Sequence, residues 1–166
     1  MDSSASALGR IFSFPNPVNE YAARITAALV LVFGLAIAAT GAGWLLWALA
    51  FGFLLRVLWG PRFSPLALLS TKVIAPRLGR SRLVPGPPKR FAQGVGLAVS
   101  LTAAVLFTAG LETAAWVTLA ALLAAAALEA FRGFCLGCAI FARLQAAGLI
   151  PESVCEACNN IPPRRP

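Results

Sequence analysis

Four long runs of apolar residues dominate the pattern of this chain. They cover residues 22–40, 43–59, 91–109 and 113–131. A helix needs about 20 mainly apolar residues to cross a bilayer, so each run is long enough for one span. A few residues around Gly41 join the first two runs, and residues 110–112 join the last two. Because such short connections place consecutive helices side by side, the pattern predicts an all-α fold with four transmembrane helices in two antiparallel hairpins.

The segment 60–90 between the hairpins is basic and rich in proline. It carries seven Lys and Arg residues and no acidic residue. Leu66, Leu69 and Val73 recur within it at helical spacing, which predicts a short amphipathic helix on the membrane surface. Basic loops of this kind commonly set topology and contact phospholipid headgroups, and we favour that role over docking of an acidic partner.

The distribution of charge predicts the orientation of the spans. The two short turns carry no Lys or Arg, whereas the loop 60–90, the N-terminal segment 1–21 and the C-terminal tail 132–166 all carry basic residues. By the positive-inside rule, the loop and both termini are expected in the cytoplasm. In a bacterium, this places the protein in the cytoplasmic (inner) membrane with its tail on the cytoplasmic face.

Composition supports the membrane class and excludes several others. The 166 residues are 59% hydrophobic and 12% charged, with a net charge of +8. That charge does not indicate nucleic-acid binding, because the basic residues lie between apolar runs and not on one solvated face. Histidine is absent. Ser-His-Asp catalysis, Cys-His proteolysis and histidine metal ligands are therefore excluded.

Two ionisable residues lie inside the predicted spans, Arg56 in the second and Glu129 in the fourth. Charged side chains in a bilayer are unfavourable unless they are paired or functional. Both lie near the cytoplasmic ends of their spans, where long side chains reach the interface. We therefore expect structural pairing, of Glu129 with Arg56 or with Arg132 one turn later, in preference to a proton or ion pathway.

All four cysteines lie in the tail, as two Cys-x2-Cys pairs. They are Cys135, Cys138, Cys155 and Cys158, with sixteen residues between the pairs. This spacing is typical of a structural zinc site, in which four thiolates form a tetrahedron. The residues between the pairs predict a helical hairpin that would bring them together, with Gly148 ending the first helix and Gly137 suited to a tight turn.

Dithiol–disulfide exchange is the second chemistry that these pairs can perform. In a Cys-x-x-Cys motif one thiol attacks and its neighbour resolves the mixed disulfide. Cys135 is the better candidate for attack, because Arg132 precedes it by three residues and a helix is predicted to begin there. Cys138 would then resolve.

Other uses of the cysteines are less favoured. Structural disulfides are not expected in the reducing cytoplasm. An iron–sulfur cluster is not favoured either, because the spacing of the cysteines matches neither common ferredoxin pattern. A channel would need a central polar pathway, which the spans lack, and a lone four-span subunit would need to form a homo-oligomer to enclose one.

Several segments carry a family resemblance. They are NPVNEYAARITA, GPRFSPLALLSTKVIAPRLG, GPPKRFAQGVGL and FCLGCAIFARLQAAGLIPESVCEAC. Together they resemble a bacterial membrane-protein family catalogued as domain of unknown function 4395. The resemblance implies thioredoxin-like or sulfurtransferase partners, because members are often encoded near such proteins. We therefore favour thiol–disulfide or sulfur chemistry at the four cysteines, with a zinc-held scaffold or interaction module as the alternative.

Overall fold

Six helices and one short strand pair form the part of the chain that the computed structural model describes, residues 18–60, 63–74, 77 and 82–150. The helices are α1 (Glu20–Thr40), α2 (Leu45–Trp59), α3 (Pro65–Leu68, continued by a π-helical turn Leu69–Ile74), α4 (Gly86–Thr108), α5 (Glu112–Ala127, continued by a π-helical turn Leu128–Arg132) and α6 (Leu136–Ala146). Strands β1 (Val18–Asn19) and β2 (Leu83–Val84) pair antiparallel, with Val18 opposite Val84. The all-helical prediction is confirmed.

Three of the four predicted spans meet the length and apolar composition of a transmembrane helix. They are Glu20–Thr40, Gly86–Thr108 and Glu112–Arg132. The helix of the second predicted span, α2, is also apolar but has 15 residues. It is shorter than the apolar run because Gly43 and Trp44 belong to the turn that follows α1.

Local signals explain where α1 begins and ends. The Asn19 side chain accepts a hydrogen bond of 3.0 Å from the Tyr21 backbone N–H, which caps the first turn. Gly41 follows the last residue with φ +67°, a left-handed conformation that glycine adopts without strain. The chain therefore reverses direction immediately after α1.

Helix α4 lies at the centre of the packing, against α2, α5 and α6, while α1 packs mainly on α5. The core contains Val30, Ile37, Leu46, Leu49, Phe53, Ala103, Ala104, Leu119, Leu122 and Leu123. Gly96 lets the Phe53 ring of α2 lie against the backbone of α4, since a Cβ atom there would lie 2.3 Å from Cε1 of Phe53. Small residues on α4 therefore let the larger side chains of α2 pack against its backbone.

The predicted amphipathic loop helix is present as α3 and its π-helical turn, but its buried face differs from the expected one. Ala67 and Ser70 are buried, whereas Leu69 and Val73 are exposed. Ser70 Oγ lies 2.5 Å from Thr26 Oγ1 of α1, in a hydrogen bond between the two hydroxyls. Leu66 packs against the core as expected, but Leu69 and Val73 face outward, and small residues bring α3 close to α1.

Arg24 of α1 holds the end of α5. Its Nε and Nη2 donate hydrogen bonds of 3.2 and 3.1 Å to the Ala130 carbonyl, and Nη2 donates one of 2.8 Å to the Phe131 carbonyl. These carbonyls are among those that a helix end leaves without backbone partners, and a cation there also suits the helix dipole. Gly133 then turns the chain with φ +69°. Helix α6 consequently begins beside α4.

Candidate thiol site

The first cysteine pair lies at the start of α6. Cys135 is the N-cap residue of this helix and has extended backbone angles, φ −91° and ψ 105°. Its Sγ accepts a hydrogen bond of 3.4 Å from the Cys138 backbone N–H. The Cys138 S–H also donates to Cys135 Sγ, at a sulfur–sulfur distance of 2.7 Å. The prediction that a helix begins at Cys135 is confirmed.

Close packing against α4 positions this helix start. A Cβ atom on Gly137 would lie 2.6 Å from both Cα and Cβ of Ala92. The ring centroids of Phe91 and Phe141 are 5.6 Å apart, which holds the two helices together one turn further along. Gly137 is therefore needed for the approach of two backbones, and not for a turn with positive φ as its position in the sequence suggested.

The two thiols of this pair differ in acidity. The hydrogen bond from Cys138 lowers the pKa of Cys135, and the positive charge of Lys89 lowers it further, while burial and the charge of Glu129 oppose the shift. The same hydrogen bond, together with burial, raises the pKa of Cys138. The thiolate therefore forms more readily at Cys135 than at Cys138, and the Cys138 thiol lies directly beside it.

The cation that lowers the Cys135 pKa comes from α4 and not from Arg132. Lys89 is 7% exposed, and its Nζ lies 2.6 Å from Glu129 Oε1. The expected pairing of Glu129 with Arg56 or Arg132 is replaced by this ion pair with Lys89. In the sequence, nothing distinguishes Lys89 from the six other basic residues of the segment 60–90. Its place on α4 beside Glu129 is visible only in the structure.

Arg56 of α2 is a third largely buried charged residue at this end of the bundle, besides Lys89 and Glu129. It is 3% exposed, and its guanidinium carbon lies 4.2 Å from the centroid of the Phe53 ring. It lines a cavity of about 220 Å³ that Glu129, Cys135 and Gln93 also line. The sequence marked Arg56 as a charge within a span but gave no signal that it shares a cavity with Cys135.

The second cysteine pair lies outside the described residues, as does the second helix of the predicted hairpin. Within 18–60, 63–74, 77 and 82–150, no three His, Cys, Asp or Glu side chains cluster in a way that could hold a metal ion. Zinc binding by Cys135, Cys138, Cys155 and Cys158 therefore stays a prediction, as does exchange between the two pairs.

Comparison with known proteins places the chain in a family. No curated protein and no solved structure matches it. The family model described as Domain of unknown function (DUF4395) matches residues 18–146. This range includes Cys135 and Cys138 together with every helix described above, and it ends before Cys155. The chain therefore belongs to the DUF4395 family.

Proposed function

We propose that this chain is an integral membrane protein that exchanges electrons between thiols and disulfides, or handles sulfur, through Cys135 and Cys138. The arrangement of these two side chains at the start of α6 supports the proposal most directly. Cys135 Sγ accepts hydrogen bonds from both the N–H and the S–H of Cys138. A helix N-terminus and a nearby cation, here Lys89, are the features that favour a reactive thiolate.

The exchange begins with attack of the Cys135 thiolate on one sulfur of a partner disulfide. A mixed disulfide forms, and the partner's other sulfur leaves as a thiolate that takes up a proton. Cys138 then loses its proton and attacks Cys135 Sγ, which releases the partner's second thiol and forms a Cys135–Cys138 disulfide. Two electrons and two protons have passed from this chain to the partner.

The second pair, Cys155 and Cys158, is proposed to reduce the Cys135–Cys138 disulfide. One of its thiolates attacks that disulfide and the other resolves the link, which frees both thiols of the first pair and leaves a Cys155–Cys158 disulfide. Sixteen residues separate the pairs, which is enough chain for a helical hairpin to bring them together. A thioredoxin-like or sulfurtransferase protein is the proposed partner, as the family resemblance implies.

The proposed setting is the bacterial inner membrane, crossed four times, with both termini and the loop 60–90 in the cytoplasm. Helix α2 supplies the remaining span together with its flanking turn residues. Trp47, Phe51 and Leu54 on α2 are exposed in the protein, as expected for a face that contacts lipid. The positive-inside rule supplies the orientation.

A zinc-held scaffold is the second candidate function. The Cys-x2-Cys pairs have the spacing of a structural site with four thiolate ligands. In that case the tail would be an interaction module that folds around the metal, and none of the four thiols would react with a partner.

Trapping of a mixed disulfide tests the proposal. Cys138→Ser should accumulate a disulfide between Cys135 and an added thioredoxin-like protein on non-reducing gels, because the resolving thiol is gone. Cys135→Ser is the matched control and should trap none. If zinc holds the tail, the purified protein should instead contain about one zinc ion per chain. Each of the four cysteine substitutions should then loosen the tail to a similar degree without a trapped partner.

A further inference from the structure

A cavity of about 220 Å³ lies beside Cys135 and plays no part in the proposed thiol exchange. Its walls are mostly apolar and come from α1, α2, α4, α5 and the start of α6. Leu136 lines it and is 45% exposed, so the cavity reaches the protein surface next to Cys135. Its volume equals that of about seven water molecules, which is enough for a small organic molecule.

Arg56 points to the kind of molecule that this cavity takes. Its three guanidinium nitrogens are buried and have no hydrogen-bond partner among the residues that the structure describes. A buried cation without acceptors is strongly unfavourable, and a charge within a membrane-spanning region commonly marks a binding site. The guanidinium carbon lies over the Phe53 ring, 4.2 Å from its centroid, and the unpaired N–H groups are available to a planar acceptor such as a carboxylate.

The surrounding charges limit the ligand to one negative charge. Glu129 also lines the cavity, but its carboxylate is hydrogen-bonded to Lys89 at 2.6 Å. Glu129 interacts electrostatically with both Lys89 and Arg56, so these three side chains together carry a net charge of +1. The N–H groups of Arg56 still have no acceptor among the described residues. A doubly charged phosphate or sulfate would leave one negative charge unmatched between apolar walls.

We propose that the cavity binds a small monocarboxylate next to the Cys135 thiol. The two carboxylate oxygens accept hydrogen bonds from the guanidinium edge of Arg56, a pairing whose planar geometry favours arginine. The short aliphatic part contacts Val30, Val99 and Leu122, which line the same cavity. This inference goes beyond thiol exchange and does not depend on it, because binding requires Arg56 and not the chemistry of the cysteines.

Alkylation of Cys135 tests the site, with iodoacetate as a reactive monocarboxylate and iodoacetamide as its neutral analogue. Each reagent forms a C–S bond to the thiolate and releases iodide. Mass spectrometry of the reduced protein in neutral detergent gives the ratio of the two rates at Cys135. Arg56→Met keeps an unbranched, flexible side chain and removes the charge. Arg143→Met is the matched control, because Arg143 is exposed on α6 and does not line the cavity.

We expect the ratio of the iodoacetate rate to the iodoacetamide rate to fall about tenfold in Arg56→Met and to stay unchanged in Arg143→Met. Effects of Arg56 on the acidity of Cys135 cancel in this ratio. Butyrate should also slow alkylation of the wild-type protein by iodoacetamide, which requires no variant. Equal ratios in wild type and Arg56→Met, or no protection by butyrate, would overturn the proposal. Protection by inorganic phosphate or phosphatidylglycerol alone would also overturn it.

Discussion

Lys89 Nζ lies 2.6 Å from Glu129 Oε1, and this ion pair joins the first turn of α4 to the π-helical end of α5. Both side chains are largely buried, and both charges act on the nearby Cys135 thiol. The positive charge lowers the pKa of Cys135 and the negative charge raises it. The pair therefore stabilises the bundle where α6 begins and also sets part of the acidity of the thiol.

Removal of Lys89 should raise the pKa of Cys135. In Lys89→Gln the cation that favours the thiolate is lost while Glu129 remains, so the pH at which alkylation reaches half its maximal rate should increase. In Glu129→Gln the same midpoint should decrease. The rate of iodoacetamide reaction at Cys135, measured against pH, gives both shifts.

Lys72→Gln is the control for this pair of variants, because Lys72 is an exposed basic residue of the loop 60–90. Its midpoint should equal that of the wild type. The assignment of Lys89 would be wrong if Lys89→Gln and Glu129→Gln moved the midpoint in the same direction.

Substitution of Gly137 should separate α6 from α4. A Cβ atom in Gly137→Ala would lie 2.6 Å from Ala92 Cα, and a backbone atom cannot move aside as the end of a flexible side chain can. We expect a loss of about 1–3 kcal/mol in the free energy of unfolding and faster alkylation of Cys135. Gly94→Ala is the matched control on α4, since a Cβ atom there has nothing within 4 Å.

Gly94→Ala should leave stability unchanged or raise it by up to about 1 kcal/mol, the difference in helix propensity between the two residues. Denaturation of the purified protein with increasing SDS measures both variants. Equal stability of the two would show that α6 does not pack on α4 as described.

Loss of Arg24 should weaken the end of α5. Arg24→Gln removes the charged hydrogen bonds to the Ala130 and Phe131 carbonyls, so we expect a loss of about 1–2 kcal/mol in the free energy of unfolding. The same SDS titration measures it. Arg77→Gln, at an exposed position, should have no effect. An unchanged stability of Arg24→Gln would contradict the capping role.

The proposed orientation predicts which side of the membrane each end of the bundle occupies. In intact cells an impermeant maleimide should not label the native cysteines, and it should do so once the membrane is permeabilised. A cysteine at position 44, introduced into a chain without the native cysteines, should be labelled in intact cells, because Trp44 is exposed in the turn between α1 and α2. Strong labelling of the native cysteines from outside would reverse the orientation.

The apolar runs by themselves determined the helical fold, because backbone N–H and C=O groups have no water to bond in a bilayer and a helix satisfies them within one segment. Helical periodicity after Cys135 also predicted where α6 starts, and Cys135 is its N-cap residue. The second span is less well determined, because α2 has only 15 helical residues. Periodicity within the loop predicted α3 but not the face that it buries.

Only the tertiary structure decided which charges and side chains meet. Lys89 and Glu129 are 40 residues apart in the chain, and Arg56 and Cys135 are further apart still. Their proximity depends on α4 packing against α2, α5 and α6 at once, and local sequence patterns carry no information about such distant contacts. The role of Gly137 has the same origin, because the backbone that it approaches belongs to another helix. The sequence alone therefore identified the thiols, and the packing of the helices decided their surroundings.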